Sequence, residues 1–203
     1  MIAIIDYGVG NLFSLCCSFK YIGLDAVITG DPDVVKNADK LVLPGVGAFA
    51  DAAAMLRKDG LAELVLSEAR GGKPLLGVCL GMQLLFEKSY EFGEHKGLGL
   101  IRGVVAPIKP RIPDGFKVPH IGWNALKFPG GKSPLFKYID EGEHVYFVHS
   151  FHAEECAEST IATTEYGADL TAAVAYGNVY GTQFHPEKSS AVGLRILQAF
   201  AEV

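Results

Sequence analysis

The sequence predicts an α/β fold, with an open, mostly parallel sheet flanked by helices and antiparallel strands added to it. Two observations lead to this prediction. In the first half of the chain, short continuous apolar runs alternate with segments of helical periodicity, which is typical of successive βα units. In the second half, segments of alternating character are separated by short connectors, which indicates antiparallel strands.

The N-terminal segment predicts the first βα unit. Residues 2–5 are a continuous apolar run of the kind found in central parallel strands, and a glycine-containing turn follows at residues 6–11. Apolar residues at spacings of three and four then predict a helix. Gly8 and Gly10 suggest a dinucleotide-binding turn, but Phe13 occupies the third glycine position of that fingerprint. We therefore reject a Rossmann-type site.

Three further parallel strands are predicted at residues 25–29, 40–43 and 74–78. In an open sheet, ligands bind beyond the carboxyl ends of the strands, so the turn at residues 44–47 and Cys79 are expected over the same crevice. That glycine-rich turn lacks the Lys and the Ser or Thr of a phosphate-binding loop. Helices are predicted within residues 50–69, with a break near Gly60, and at residues 80–86.

The second half predicts strands within residues 98–108, 124–128 and 143–151, preceded by a surface loop at residues 87–97. A hairpin within residues 170–184 leads to His185. A helix from Ser190, which is a fair N-cap, then closes the chain. The connectors are too short to separate domains, so we expect one domain over residues 1–203.

Composition excludes several classes of function. The chain has 203 residues, of which 49% are hydrophobic, so it can bury the core of a full-sized domain. A net charge of −5 argues against nucleic acid and anionic membranes as main partners. The four cysteines form neither a disulfide framework nor a zinc pattern, and the first residues enter a strand rather than a signal peptide. We expect a cytoplasmic protein.

Cys79 is the candidate nucleophile. It lies between a predicted buried strand and a predicted helix, with Gly77 and Gly81 two positions away on either side. A strained strand-to-helix turn needs small neighbours at those positions, and the helix N-terminus stabilises negative charge on the sulfur. A buried, inert cysteine is the alternative on residue type alone. The flanking glycines favour the nucleophile.

His185 and Glu187 are the candidate base and its orienting acid. His185 precedes a proline, which favours an extended conformation, and alternate side chains of an extended segment share a face. A carboxylate beside the imidazole fixes its tautomer and leaves the other nitrogen free to take the Cys79 proton. The predicted chain order of the triad is therefore Cys, His, Glu.

Backbone N–H groups near Cys79 are candidates for an oxyanion hole. Attack on an amide places negative charge on the carbonyl oxygen, and the Leu80 N–H follows the nucleophile directly. A second donor is expected from Val46 or Gly47, on a peptide that can rotate to supply or withhold its N–H. A plain turn explains the same glycines equally well.

Two segments resemble the signature segments of the class I, Cys-His-Glu triad glutamine amidotransferases: GVCLGMQLLFE at residues 77–87 and QFHPEKS at residues 183–189. Three further stretches, at residues 6–11, 43–49 and 119–124, resemble one group within this family, the glutaminase subunits that pair with a (β/α)8 cyclase subunit. The resemblance runs nearly from end to end. It implies hydrolysis of L-glutamine through a thioester, delivery of ammonia to the cyclase in a heterodimer, and no metal or organic cofactor.

The resemblance also suggests roles for residues outside the triad. Gly47, Gln83 and Ser150 are candidate contacts of the glutamine substrate. His144, His149 and His152 are not expected to chelate a metal, because His149 and His152 should point to opposite faces of a strand. The candidate partner-interface residues are Asn11, Trp123, Tyr146 and Lys188.

Three alternatives remain open at this point. A glutaminase that serves another synthase, such as the pyridoxal phosphate one, shares the triad. A cysteine peptidase or related hydrolase also uses a nucleophile on a strained turn. A non-catalytic binding subunit is the third.

Overall fold

Five neighbouring parallel strands form the core of a nine-stranded sheet in the computed structural model, which describes residues 1–203. Their spatial order follows the flavodoxin-like pattern, with the last strand added beside the fourth. In that order the strands are β2 (Ala26–Thr29), β1 (Ile2–Ile5), β3 (Lys40–Leu43), β4 (Leu75–Val78) and β13 (Val179–Thr182).

Antiparallel strands extend the sheet beyond β13. They are, outward from β13, β12 (Asp169–Tyr176), β11 (Thr160–Glu165), β8 (His120–Lys127) and β9 (His144–His149). A separate four-stranded sheet packs beside them. Its strands are, in order, β10 (Phe151–Glu154), β7 (Ile101–Pro107), β5 (Phe86–Ser89) and β6 (His95–Lys96).

Six α-helices accompany the two sheets, and the longest has 12 residues. None of them combines the length and the apolar character needed to cross a bilayer. The helices are α1 (Leu12–Tyr21), α2 (Pro32–Asn37), α3 (Phe49–Arg57), α4 (Leu61–Arg70), α5 (Leu80–Leu84) and α6 (Ser190–Ala201).

The parallel strands are buried on both faces, which explains their continuous apolar sequences. In β1, Ala3 and Ile5 belong to one core cluster, whereas Ile2 and Ile4 belong to the other. Helices α2, α3 and α4 contribute to the first cluster, and helices α1 and α6 contribute to the second. The predicted fold class is therefore confirmed.

Three local predictions are wrong. The helix predicted at residues 80–86 ends at Leu84, and Phe86 begins β5, so residues 87–97 are not simply a surface loop. The helix ends at Leu84 because a later segment binds its last carbonyls: the N–H groups of Leu98 and Leu100 donate hydrogen bonds to the carbonyls of Leu84 and Leu85. Ser190 is the first residue of α6 rather than its N-cap.

Candidate active site

Cys79 occupies a strained turn between β4 and α5. Its φ of 54° and ψ of −112° lie in a region that residues with side chains rarely adopt. A Cβ atom on Gly77 would lie 2.7 Å from the Gly81 carbonyl oxygen, and one on Gly81 would lie 1.8 Å from the Leu43 carbonyl oxygen. Both glycines are therefore required by close backbone approach, as the sequence predicted.

The order of strands brings His185 beside Cys79. Because β13 pairs in parallel with β4, their carboxyl ends meet, and the Cys79 N–H donates to the Thr182 carbonyl at 2.7 Å. The His185 N–H in turn donates to the Tyr146 carbonyl of β9 at 3.0 Å. Cys79 and His185 are both buried and line one cavity.

Glu187 contacts the far side of the imidazole. The distance between His185 Nδ1 and Glu187 Oε1 is 2.8 Å, so His185 Nε2 is left to face Cys79. His185 is extended as predicted, with φ of −98° and ψ of 101°, but the extended conformation does not continue, because Pro186–Lys188 form a 3-10 turn that brings the carboxylate back to the imidazole. Asn11 Nδ2 also donates to Glu187 Oε1, at 3.1 Å, which ties the carboxylate to the start of α1.

The environment of His185 favours its charged form. Burial lowers the pKa of His185, but its hydrogen bonds with Cys79 and Glu187 outweigh burial and raise the pKa to about 9. The imidazole is therefore protonated at neutral pH, with a hydrogen bond to Cys79 on one side and to Glu187 on the other. An imidazolium in this position can protonate a leaving amine.

The titration of His185 provides the first test. We expect its ring resonances in NMR spectra to titrate near pH 9, and to titrate at lower pH in Cys79→Ala, where the contribution of the sulfur is lost. Because the folded pKa exceeds the unfolded value near 6.5, the stabilisation is complete below pH 6.5 and is lost as pH rises through 9. Urea unfolding should show a loss of about 3 kcal/mol across that interval. An unaltered titration in Cys79→Ala would contradict the pairing.

A cavity of about 330 Å³ lies above Cys79, and its size suits a small ligand. It brings together the predicted nucleophile, base, oxyanion donors and substrate contacts from four separate parts of the chain. Glu187 does not reach the cavity, since its side chain is fully buried behind His185. The lining residues are Val46, Gly47, Cys79, Leu80, Gln83, Glu91, Pro119, Val148, His149, Ser150, Phe151 and His185.

The turn after β3 is anchored at one end only. The Tyr7 hydroxyl donates to the Pro44 carbonyl at 2.7 Å, and a Cβ on Gly45 would lie 2.7 Å from the Gly81 nitrogen. Gly47, in contrast, has a φ of +92° and no atom within 4 Å of the position that a Cβ would occupy, and Val46 is 42% exposed. The peptides around Val46 and Gly47 therefore have room to rotate while Pro44 and Gly45 stay fixed.

Two polar residues of the site have no role that the sequence predicts. Glu91 lines the cavity, and its Oε2 accepts a hydrogen bond from the Phe49 N–H at 2.5 Å. Nothing in the local sequence signals Glu91, which lies in the segment predicted as a loop. Gln183 is fully buried, with Nε2 at 3.7 Å from Cys79 Sγ, and it opens the QFHPEKS segment, whose pattern predicts no role for it.

The four interface candidates cluster beside the triad. The rings of Trp123 and Tyr146 pack edge to face on neighbouring strands, with centroids 6.0 Å apart. Lys188 Nζ lies 5.9 Å from the centroid of the Tyr146 ring. Asn11 is bound to Glu187, so it links this cluster to the catalytic candidates.

The strand histidines have local hydrogen-bond partners. His149 Nδ1 lies 2.8 Å from the Phe151 carbonyl oxygen, and its Nε2 lies 3.0 Å from His120 Nδ1. Burial lowers the pKa of His149 to about 3, so this ring is neutral at physiological pH. The expectation that His149 and His152 share one strand is wrong, because they lie on β9 and β10 in different sheets.

Comparison with known proteins agrees with this geometry. The family model described as "Glutamine amidotransferase class-I" matches residues 3–202. Two solved structures share the fold, each with a TM-score of 0.76: a glutamine amidotransferase, 20% identical, and PurLQS from Thermotoga maritima, 19% identical. The match to the glutamine amidotransferase covers 100% of this chain and 98% of that chain. The match to PurLQS covers 99% of this chain and 97% of that chain. The chain belongs to the class-I glutamine amidotransferase family.

Relatives of higher identity define its place within that family. The chain is 49% identical over 205 residues to imidazole glycerol phosphate synthase subunit HisH of Wolinella succinogenes, with complete coverage of both chains. It is 51% identical over 204 residues to the HisH subunit of Sulfurimonas denitrificans, covering 100% of this chain and 98% of the relative. The family resemblance inferred from the motif segments is confirmed, and with it the class of enzyme.

Proposed function

We propose that this chain is the glutaminase subunit of imidazole glycerol phosphate synthase in histidine biosynthesis, with Cys79, His185 and Glu187 as its catalytic triad. The observation that carries the proposal is the array of sulfur, imidazole and carboxylate at the edge of a cavity sized for an amino acid. The proposed unit is one domain, residues 1–203, which works without a metal or organic cofactor. Its four free cysteines fit the reducing cytoplasm.

The proposed reaction proceeds in two halves. The Cys79 thiolate attacks the side-chain amide carbon of glutamine, and protonated His185 gives its proton to the nitrogen as the carbon–nitrogen bond breaks. Ammonia leaves and a thioester remains. His185 then accepts a proton from water, whose oxygen attacks the thioester, and glutamate leaves as the sulfur recovers its negative charge. Glu187 keeps the imidazole in the required orientation.

Two backbone donors are proposed to stabilise the oxyanion. The Leu80 N–H is fixed, because Leu80 opens α5 directly after the nucleophile. The second donor comes from Val46 or Gly47, on the half of the turn that has room to rotate. Glutamine hydrolysis is switched on when that peptide presents its N–H to the cavity.

Polar groups of the cavity wall are proposed to select glutamine. Gly47, Gln83 and Ser150 line the wall and offer polar groups to the substrate. Glu91 contributes the only carboxylate among the lining residues, and it is fixed by the Phe49 N–H. An anionic group at that position suits the α-ammonium group of a free amino acid.

A substitution at Glu91 tests this assignment. Glu91→Gln retains an oxygen that can accept from the Phe49 N–H but loses the charge, so KM for glutamine should rise about tenfold with little change in kcat. The matched control is Glu94→Gln, which removes an exposed carboxylate paired with Lys88 on the same segment. Steady-state assays of glutamate release give KM and kcat for both variants. Equal KM values for the two variants would contradict the role of Glu91.

The face for the cyclase partner is proposed on β8 and β9. Ile121 and Trp123 are 58% and 48% exposed, and they pair across the strands with Val148 and Tyr146. Since Val148 also lines the cavity, this apolar surface continues to the mouth of the candidate active site. A (β/α)8 cyclase seated there would cover the mouth and receive ammonia without loss to solvent.

The polar candidates at the edge of that face complete the proposed interface. Lys188 is exposed directly after Glu187 and is available to a carboxylate of the partner. Asn11 contacts the triad carboxylate, so a partner that touches Asn11 also touches the support of His185.

Reconstitution with a cyclase tests the function as a whole. Glutamate release should rise when the cyclase subunit of imidazole glycerol phosphate synthase and its nucleotide substrate are added, and imidazole glycerol phosphate should form with glutamine as the nitrogen source. Glutamine-dependent synthesis with a pyridoxal phosphate synthase subunit instead would support that alternative. Cleavage of peptides without hydrolysis of glutamine would indicate a peptidase.

A further inference from the structure

Gln183 lies beside the proposed nucleophile without a role in the mechanism described above. It follows β13 and is fully buried, and its backbone N–H donates to the Ala172 carbonyl at 2.8 Å. Its side-chain Nε2 lies 3.7 Å from Cys79 Sγ, within the range of an N–H···S hydrogen bond. Because no solvent reaches Gln183, its amide must find its partners inside the protein.

The orientation of the Gln183 amide follows from its neighbours. The Phe151 carbonyl can only accept hydrogen bonds, so the Gln83 atom 3.1 Å from it must be the nitrogen Nε2. That nitrogen also lies 2.9 Å from the Gln183 side chain, which must therefore present its oxygen Oε1. The other end of the Gln183 amide, its Nε2, then faces Cys79.

The sulfur of Cys79 consequently lies between two different groups. Gln183 can only donate a hydrogen bond to it, whereas the His185 imidazole, which is also hydrogen-bonded to it, can donate or accept a proton. A reversed Gln183 amide would set two NH2 groups against each other at Gln83, or two oxygens against each other at Phe151 if the Gln83 amide reversed as well. Burial excludes water as a substitute partner.

We propose that Gln183 is a further residue of the catalytic site, where it donates a hydrogen bond that holds the Cys79 sulfur towards the cavity and stabilises its anionic form. The bond strengthens when the sulfur becomes negatively charged, since hydrogen bonds to ionised acceptors are stronger than those between neutral groups. Gln83 acts one step further out as the group that orients Gln183.

Alkylation of Cys79 by iodoacetamide tests this role without any glutamine. Cys17 is the exposed cysteine, so the measurements use a Cys17→Ser background. In Gln183→Met, which fills the space but donates nothing, alkylation of Cys79 at pH 7 should slow about tenfold. The difference should narrow as pH rises, because the sulfur is then ionised in both proteins. Gln183→Glu, which sets an acceptor against the sulfur, should slow alkylation at least as much.

Glutamine kinetics in the reconstituted synthase provide the second readout. The Gln183 variants should lower kcat about tenfold with a small change in KM, because the hydrogen bond acts on the nucleophile rather than on bound glutamine. Gln198→Met, which changes a half-buried glutamine of α6 whose amide contacts Glu202, is the matched control and should behave as wild type. Thermal unfolding verifies that each variant is folded, and Gln183→Glu provides the test if the methionine variant is not.

The role of Gln183 rests on the proposed function only because both name Cys79 as the nucleophile. The two experiments can therefore contradict one without contradicting the other. Wild-type alkylation rates in both folded Gln183 variants would overturn the role of Gln183 even if glutamine turnover is confirmed. Slower alkylation in a protein that fails to hydrolyse glutamine would support Gln183 and refute the glutaminase. Equal slowing at every pH would indicate restricted access to the sulfur and would also overturn the inference.

Discussion

Cys79→Ala is expected to lower glutamine-dependent synthesis by the reconstituted synthase about 10⁴-fold, because no other group in the cavity can form the thioester. Synthesis from added ammonium salts should remain within about twofold of the wild-type rate, since ammonia then reaches the cyclase without the triad. Parallel assays of the same complex with glutamine and with ammonium salts measure both rates.

The matched control for this prediction is Cys17→Ala, which removes an exposed cysteine on α1. It should retain both activities. A Cys79→Ala complex that still uses glutamine would refute the nucleophile, and one that loses both activities would indicate that Cys79 supports the assembly rather than the chemistry. The latter result would favour a binding subunit without catalysis.

Val46→Pro is expected to reduce kcat for glutamine about 100-fold, with a smaller effect on KM. Proline has no N–H, so it removes one proposed donor to the oxyanion and also stiffens the half of the turn that has room to rotate. Glutamate release in the presence of the cyclase and its nucleotide substrate measures the loss. Turnover in ammonia-dependent synthesis should not change.

Val46→Ala is the control that distinguishes loss of the backbone N–H from loss of the side chain. It keeps the N–H and removes most of a side chain that is 42% exposed, so its activity should stay close to wild type. If Val46→Pro hydrolyses glutamine at the wild-type rate in the complex, the switch at this turn is wrong. Gly47 then becomes the candidate for the second donor.

The sequence was sufficient for the parts of the fold that depend on local pattern. The apolar run at residues 2–5 predicted a central strand because both of its faces are buried. Gly77 and Gly81 predicted the strained turn at Cys79 because close backbone approach leaves no space for a Cβ atom. The hairpin before His185 was also predicted, and it is formed by β12 and β13.

The features that the sequence did not reveal depend on contacts between distant segments. Helix α5 is short because residues near position 100 bind its last carbonyls, which no propensity of its own residues signals. Glu91 enters the cavity through its bond to the Phe49 N–H, 42 residues away. Glu187 reaches His185 through a 3-10 turn rather than an extended segment, so the contact was predicted for an incorrect reason.

The pairing of β4 with β13 has a consequence during protein synthesis. Gln183 and Cys79 are separated by 104 positions along the chain, and both partners of the sulfur arrive with the strand that is translated last. While the ribosome is still completing that strand, the emerging polypeptide already carries its thiol but has neither the imidazole nor the amide proposed to activate it. The proposed site is therefore assembled only after the final strand has inserted into the sheet.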